Sequence, residues 1–171
     1  MKNCLVILFM TFVITSCNNS SNRPEPNLVP FEKQEVLSTY DFRLIESTGK
    51  TINVYANQNK VVLIHYWKPT TENILEDIAS IQKLYDDYKL KIEFYFITDD
   101  TQPNVRSFIE KNNLVFPNYY MGSTPPRPLK FEDSPKTYLI SKTGRIVINQ
   151  EGFVNWNSEN VRKTIDDLIK Q

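Results

Sequence analysis

Residues Val61–Trp67 form an apolar run broken only by His65, the pattern of a strand buried on both faces. The run stops at Lys68-Pro69, and from Thr71 onward the period changes. Ile74, Ile78, Ile81 and Tyr85 recur at helical spacing with Glu76, Asp77 and Lys83 between them, predicting a helix that ends near Tyr88–Leu90. A strand that feeds directly into a helix sets the helix's free N–H groups and positive dipole end at the strand's C-terminal edge, where many α/β proteins place their chemistry.

The rest of the chain follows the same two periods. Tyr40–Ile45 alternates, turns at Ser47-Thr48-Gly49-Lys50, and resumes at Ile52 and Val54 before a second turn at Asn57-Gln58-Asn59, a hairpin signal. Ile92–Thr98 is aromatic and β-branched and predicts a second buried strand. Asp99-Asp100-Thr101 offers N-cap residues rather than a cation site, and Pro103 suits the first turn of a short helix carrying Val105, Phe108 and Ile109 that closes at Asn112-Asn113. This strand–helix–strand–helix order predicts a parallel strand pair with a right-handed crossover. Residues 116–135 contain five prolines and read mostly as surface loop. Lys136–Ile140 then reads as a strand, Lys142–Arg145 as a turn, and Ile146–Ile148 as the antiparallel partner. The last helix starts at Asn157-Ser158 and carries the stripe Val161, Ile165, Leu168.

Composition removes several functions and the first residues add one. With 20 basic and 20 acidic residues the chain has no net charge, and without residues 1–16, which contain only Lys2, it stands at 19 − 20 = −1. No basic patch points to nucleic acid. Lys2 followed by the apolar run Cys4–Ile14 reads as a targeting segment too short to span a bilayer, which needs about 20 residues. The ending Ile14-Thr15-Ser16-Cys17, with Asn18-Asn19 after it, has the look of a bacterial lipobox; an ordinary signal peptide is the other reading. On the lipobox reading residues 1–16 are a lipoprotein signal peptide, Cys17 carries the lipid (acylation of the palmitate kind), 17–36 is a flexible tether, and 37–171 is the folded domain. The tether's Asn-, Ser- and Pro-rich residues 18–35 would reach roughly 20–25 Å as a flexible chain. The protein is then membrane-bound through Cys17 and faces the bacterial envelope, on the periplasmic side. Cys4 and Cys17 are the only cysteines, so the mature chain has no free thiol and no internal disulfide chemistry.

Residues 38–170 resemble the thioredoxin-like superfamily, specifically envelope thiol–disulfide oxidoreductases of the TlpA/ResA kind. The resemblance rests on Phe42-Arg43-Leu44, Gly49-Lys50, Lys60-Val61-Val62-Leu63, Tyr66-Trp67, Ser134-Pro135-Lys136-Thr137-Tyr138-Leu139-Ile140 and Glu151-Gly152…Trp156, all in family order. It implies an α/β fold: a thioredoxin-like three-layer α/β/α sandwich with a central mixed sheet and an N-terminal hairpin extension. It also implies a cis-proline at Pro135. The family's two catalytic cysteines fall at Thr71 and Ile74, so the redox motif is replaced.

Without thiols, catalytic residues are not expected, and neither a metal nor a cofactor is implied. Thr71 or Thr70 reads as a helix N-cap rather than a nucleophile, because no base stands near it in sequence. His65, the one histidine, reads as a satisfied core residue rather than a proton relay or ligand. Glu72 and Asn73 read as ordinary first-turn residues. What the resemblance leaves is a groove in which Trp67, Pro69, Thr70, Thr71, Ser134 and Pro135 would hold an extended segment of an envelope protein by main-chain hydrogen bonds. The expected function is a non-redox binding or accessory module. The alternatives are a divergent oxidoreductase in redox homeostasis that works through a partner's thiols, and a structural spacer. The Tyr119–Arg127 loop, with aromatic, Met and Arg residues, is a second candidate surface.

Overall fold

The computed structural model describes residues 23–37, 42–54 and 59–171. The targeting segment, Cys17, the first tether residues, Tyr40-Asp41 and Asn57-Gln58 lie outside them. Seven strands form one sheet: β1 (Arg43–Glu46), β2 (Thr51–Asn53), β3 (Val62–Tyr66), β4 (Glu93–Thr98), β5 (Asn118–Met121), β6 (Lys136–Ile140) and β7 (Ile146–Glu151), in the order β2-β1-β5-β4-β3-β6-β7. Helix α1 (Ile74–Tyr88) joins β3 to β4, α2 (Gln102–Lys111) joins β4 to β5, and α3 (Glu159–Lys170) ends the chain. β3 runs parallel to β4 and antiparallel to β6, so the sheet is mixed as expected.

Alternation along β3 divides the core. Val61, Leu63 and Trp67 pack on one face with Ile78 and Ile81 of α1, Val105 of α2 and Ile165 of α3. Val62, Ile64 and Tyr66 pack on the other with Leu37, Phe42, Val54 and Leu129. The thioredoxin-like arrangement is therefore present, with one difference from the expected three layers. Among the described residues all three helices cover the same face, and strand ends and loops close the opposite one. The steps β3→β4→β5 move the same way along the sheet and are both parallel. Crossovers of one hand then put α1 and α2 on one side.

Two expected irregular segments are ordered pairings. Within residues 116–135, Asn118–Met121 forms β5, which bonds β4 on one side and β1 on the other and so joins the hairpin to the core sheet. Its tyrosines suit a strand, and apart from Pro117 just before it the prolines of this region come later. The tether expected through residue 36 is, from Arg23 on, bound to the domain as a strap along the free edge of β7. Val29 N–H donates to Val147 C=O at 2.8 Å, Ile146 N–H to Glu35 C=O at 2.9 Å, and Leu37 N–H to Gly144 C=O at 2.8 Å. Leu37 is fully buried. Prolines 24, 26 and 30 keep the strap from becoming a full strand, and the cover leaves that sheet edge unavailable for pairing with another chain.

The strap's fit depends on Gly144. Its φ is +79°, and a Cβ there would stand 2.4 Å from the Leu37 carbonyl oxygen. Gly144→Ala is expected to destabilise the protein by about 1–3 kcal/mol from backbone conformation plus the cost of displacing Leu37. Gly49→Ala shares a positive φ of +86° but meets nothing within 4 Å, so it should lose only about 1–2 kcal/mol. Urea denaturation of both variants checks the difference; equal losses would mean that the strap contact contributes nothing.

Candidate functional site

β3 continues one residue past its end, where Trp67 N–H donates to Ile97 C=O at 2.9 Å. The chain then turns through Lys68–Thr71, with Thr71 N–H donating to Lys68 C=O at 3.1 Å. α1 starts only at Ile74. Its N-cap is Asn73, in the left-handed region at φ 60° and without a side-chain capping bond. Thr70 and Thr71 are thus not the cap expected from the sequence. The Thr71 hydroxyl instead donates across the groove to Ser134 Oγ at 3.0 Å, which ties the loop to the Ser134–Pro135 segment. The Ser134–Pro135 peptide is cis, as the resemblance implied.

The other predicted groove residues divide by exposure. Pro69, Thr70, Thr71 and Ser134 reach the surface at least in part. Pro135 is buried, and its carbonyl accepts from Gly152 N–H at 3.0 Å. Among the described residues, nothing bonds the N–H or carbonyl of Ser134. Trp67, expected as a binding residue, is fully buried. It packs against Phe108 and Phe116 at ring-centroid distances of 5.6 and 5.8 Å and donates Nε1–H to Asn118 Oδ1 at 3.0 Å. It supports the loop from beneath and cannot meet a ligand in the groove. Ile74 is likewise buried in the helical core. On the loop's other flank, Lys68 Nζ lies 3.1 Å from Asp99 Oδ2. Burial, and then the bond to Asp99, push the Tyr66 hydroxyl up to about 12. Burial works to raise Asp99 as well, but the hydrogen bonds from Tyr66 and Lys68 outweigh it and hold that carboxyl below its usual range.

Beneath the loop lies a buried polar chain that the sequence reading did not assemble. His65 and Asp77 are both inaccessible to solvent, with His65 Nε2 3.5 Å from Asp77 Oδ2. His65 Nδ1 shares a 2.9 Å hydrogen bond with Thr137 Oγ1, two residues after Pro135. Arg23, from the strap, places its guanidinium 3.9 Å from Asp77 Oδ1 and 2.6 Å from Glu76 Oε2, and lies over the Phe153 ring. Burial lowers His65 to about 3 and raises Asp77 to about 7, the latter against the pull of Arg23. Although the distance would suit an ion pair, burial opposes charge on both groups. Burial therefore disfavours the ion pair: the imidazole is neutral above about pH 3, and the carboxyl keeps its proton until the pH rises through about 7. His65 is buried in the core, but it is not the satisfied residue expected: Nδ1 is bonded to Thr137 while Nε2 has no hydrogen-bond partner among the described residues. Asp77 was read only as a polar position between the apolar ones, yet it sits three residues after Ile74 and four before Ile81, on the buried face of α1. That spacing was the signal available. Arg23 gave none.

The sequence profile described as the AhpC/TSA family matches residues 38–154, about two-thirds of the chain. The chain belongs to the AhpC/TSA family. Solved structures of the same fold are thiol–disulfide proteins. The chain resembles a secreted thiol-disulfide isomerase from Corynebacterium glutamicum at 16% identity over 94% of this chain and 99% of that one, with a TM-score of 0.64. It also resembles the thioredoxin domain of a Bacteroides vulgatus thiol-disulfide oxidoreductase at 15% identity, over 79% of this chain and 98% of that one, with a TM-score of 0.60. A thiol-disulfide oxidoreductase from Bacteroides fragilis matches at 19% identity over 77% and 99%, with a TM-score of 0.58. No curated protein matches the sequence significantly. This AhpC/TSA member is thus thioredoxin-like in fold, with Thr71 in the β3–α1 loop, Ile74 at the first position of α1, and no cysteine in either. Among the described residues no group of three or more His, Cys, Asp or Glu is placed to hold a metal ion.

The buried acid has a pH signature. The folded pKa of Asp77, about 7, lies above its ordinary value of 3.8. Its contribution to stability is therefore complete below about pH 3.8 and is lost as the pH rises through about 7. The loss is about 1.4 kcal/mol per unit across that window. His65 works in the opposite sense, stabilising above about 6.5 and losing this as the pH falls through about 3. Asn cannot lose a proton, so Asp77→Asn should gain on the parent by on the order of 2–3 kcal/mol between about pH 5 and pH 8 in urea denaturation. A difference that stays constant with pH would show that Asp77 is ionised throughout.

Proposed function

We propose that this protein is a lipid-anchored, non-redox member of its family that binds an extended segment of another envelope protein in the groove between the Lys68–Asn73 loop and Ser134–Pro135. The observation that carries the reading is the backbone of Ser134, unengaged among the described residues, beside a loop whose Thr71 hydroxyl already holds the two walls together at 3.0 Å. An extended peptide can satisfy the N–H and carbonyl of Ser134 as a neighbouring strand would, and this needs no sulfur. Thr71 and Ile74 stand where the family resemblance places the cysteine pair. With Cys4 removed and Cys17 acylated, no thiol is left to form or break a disulfide within the chain. Family membership supports the second reading, an oxidoreductase working through a partner's thiols.

Three measurements separate these readings. Immobilised protein incubated with envelope extract should capture a client, and Thr71→Arg, which fills the groove and removes the hydroxyl bridge, should lose at least nine-tenths of it, roughly the loss that 1.4 kcal/mol causes. Capture that survives the substitution would move the interface elsewhere, to the Tyr119–Arg127 region for example. In a disulfide-reductase assay the protein should give no turnover over buffer, and clear turnover would favour the oxidoreductase. Mass spectrometry of protein extracted from membranes should find an acylated Cys17, and Cys17→Ser should release the protein into the soluble fraction.

A further inference from the structure

Among the described residues six large apolar side chains are notably exposed, and three of them, Leu28 (56%), Phe31 (68%) and Val36 (48%), belong to the strap. The strap is not free to turn them inward, because Leu28 and Val36 bridge to Ile148 and Arg145 and Val29 is bonded to Val147. Leu28 and Phe31 line an open groove of about 610 Å³ together with Arg145, Val147, Lys163 and Leu168. The Arg145 guanidinium lies 4.5 Å over the Phe31 ring. An aromatic face stacked on a guanidinium beside aliphatic side chains is suited to a bilayer's headgroup region. There the apolar groups enter the acyl boundary and the cation meets phosphate.

Chain length selects the occupant. The described strap begins at Arg23, so only five residues separate it from Cys17. The six Cα–Cα steps from Cys17 to Arg23 span at most about 21 Å fully extended. A lipid on Cys17 therefore holds the strap within that distance of the membrane surface. Leu90 is 96% exposed but lies one helix length away, since Arg23 contacts Glu76 near the start of α1 and Leu90 follows its end.

We propose that the strap face carrying Leu28 and Phe31, backed by Arg145, rests on the phospholipid headgroups of the membrane that holds Cys17. This inference rests on the lipid-anchor reading above. Charge does not drive the contact: Arg23 and Lys33 are outnumbered by Glu25, Glu32 and Glu35 in the strap. Apolar insertion does, so the contact is insensitive to salt.

The test uses the acylated protein in vesicles of phosphatidylethanolamine and phosphatidylglycerol that carry a headgroup nitroxide quencher. The Cys17 thiol is blocked by lipid, so Phe31→Cys and Leu90→Cys each take one fluorophore at a single exposed position. A label at 31 should be quenched several-fold more than one at 90, and added salt should not change the ratio. Vesicle-bound protein in which both labels are quenched equally little overturns the proposal and leaves the anchor intact. A label at 31 shielded by a second copy, seen as self-quenching that rises with protein density without lipid quenching, also overturns it. Protein that does not bind vesicles and lacks an acyl mass on Cys17 removes the anchor reading, and this inference with it.

Discussion

A histidine at the centre of a strand buried on both faces has no water to turn to, so any partner for its two ring nitrogens must come from within the protein. In this chain His65 imposes that demand at the middle of the sheet. Thr137 answers it at Nδ1 from β6, while Asp77 of α1 stands 3.5 Å from Nε2 without a hydrogen bond among the described residues. Asp77 in turn becomes a buried carboxyl, and the charge nearest to it comes from Arg23, on a segment far away in sequence. One polar side chain in β3 thus links the central strand, the first helix, the strand after the cis-proline and the N-terminal strap. An apolar residue at position 65 would relieve the demand, but it would leave Asp77 buried beside Arg23 alone.

The strap follows from a second constraint. β7 ends the sheet, and an uncovered edge offers unpaired backbone groups to any other chain. Residues 23–37 fill this position with intermittent bonds and prolines, protecting the edge without extending the sheet. The same placement shortens whatever slack remains before Cys17. A segment that composition marks as a spacer is therefore, from Arg23 on, part of the folded domain.

At the groove, the family's frame persists around different chemistry. Trp67 remains as buried support, the cis peptide remains beside the loop, and the two walls meet through hydroxyl groups at Thr71 and Ser134. A thiolate would need a nearby base and a favourable field to react. The hydroxyl pair needs neither in order to hold the loop in place. The buried His65–Asp77 pair lies below this surface. It holds a proton without contacting the groove, so it acts on the loop only through packing and through Thr137.

The hydrophobic pattern alone determined which residues form β3, β4, β6, β7, α1 and α3, because a period of two or of 3.6 is a local property that burial enforces residue by residue. The resemblance to the family, and not the pattern, implied that the Thr71 and Ser134 segments meet, and the sequence itself has no cysteine after Cys17. Other features were settled only by tertiary structure. β5 forms because two partner strands flank it, although prolines surround it. All three helices share a face because of the order in which strands are laid down. Trp67 is withdrawn from the groove by Phe108, Phe116 and Asn118, and Thr71 is taken from capping by Ser134. Asp77 and Arg23 meet across more than fifty residues of sequence. Each of these depends on a partner distant along the chain, and local periodicity holds no information about which distant group will arrive.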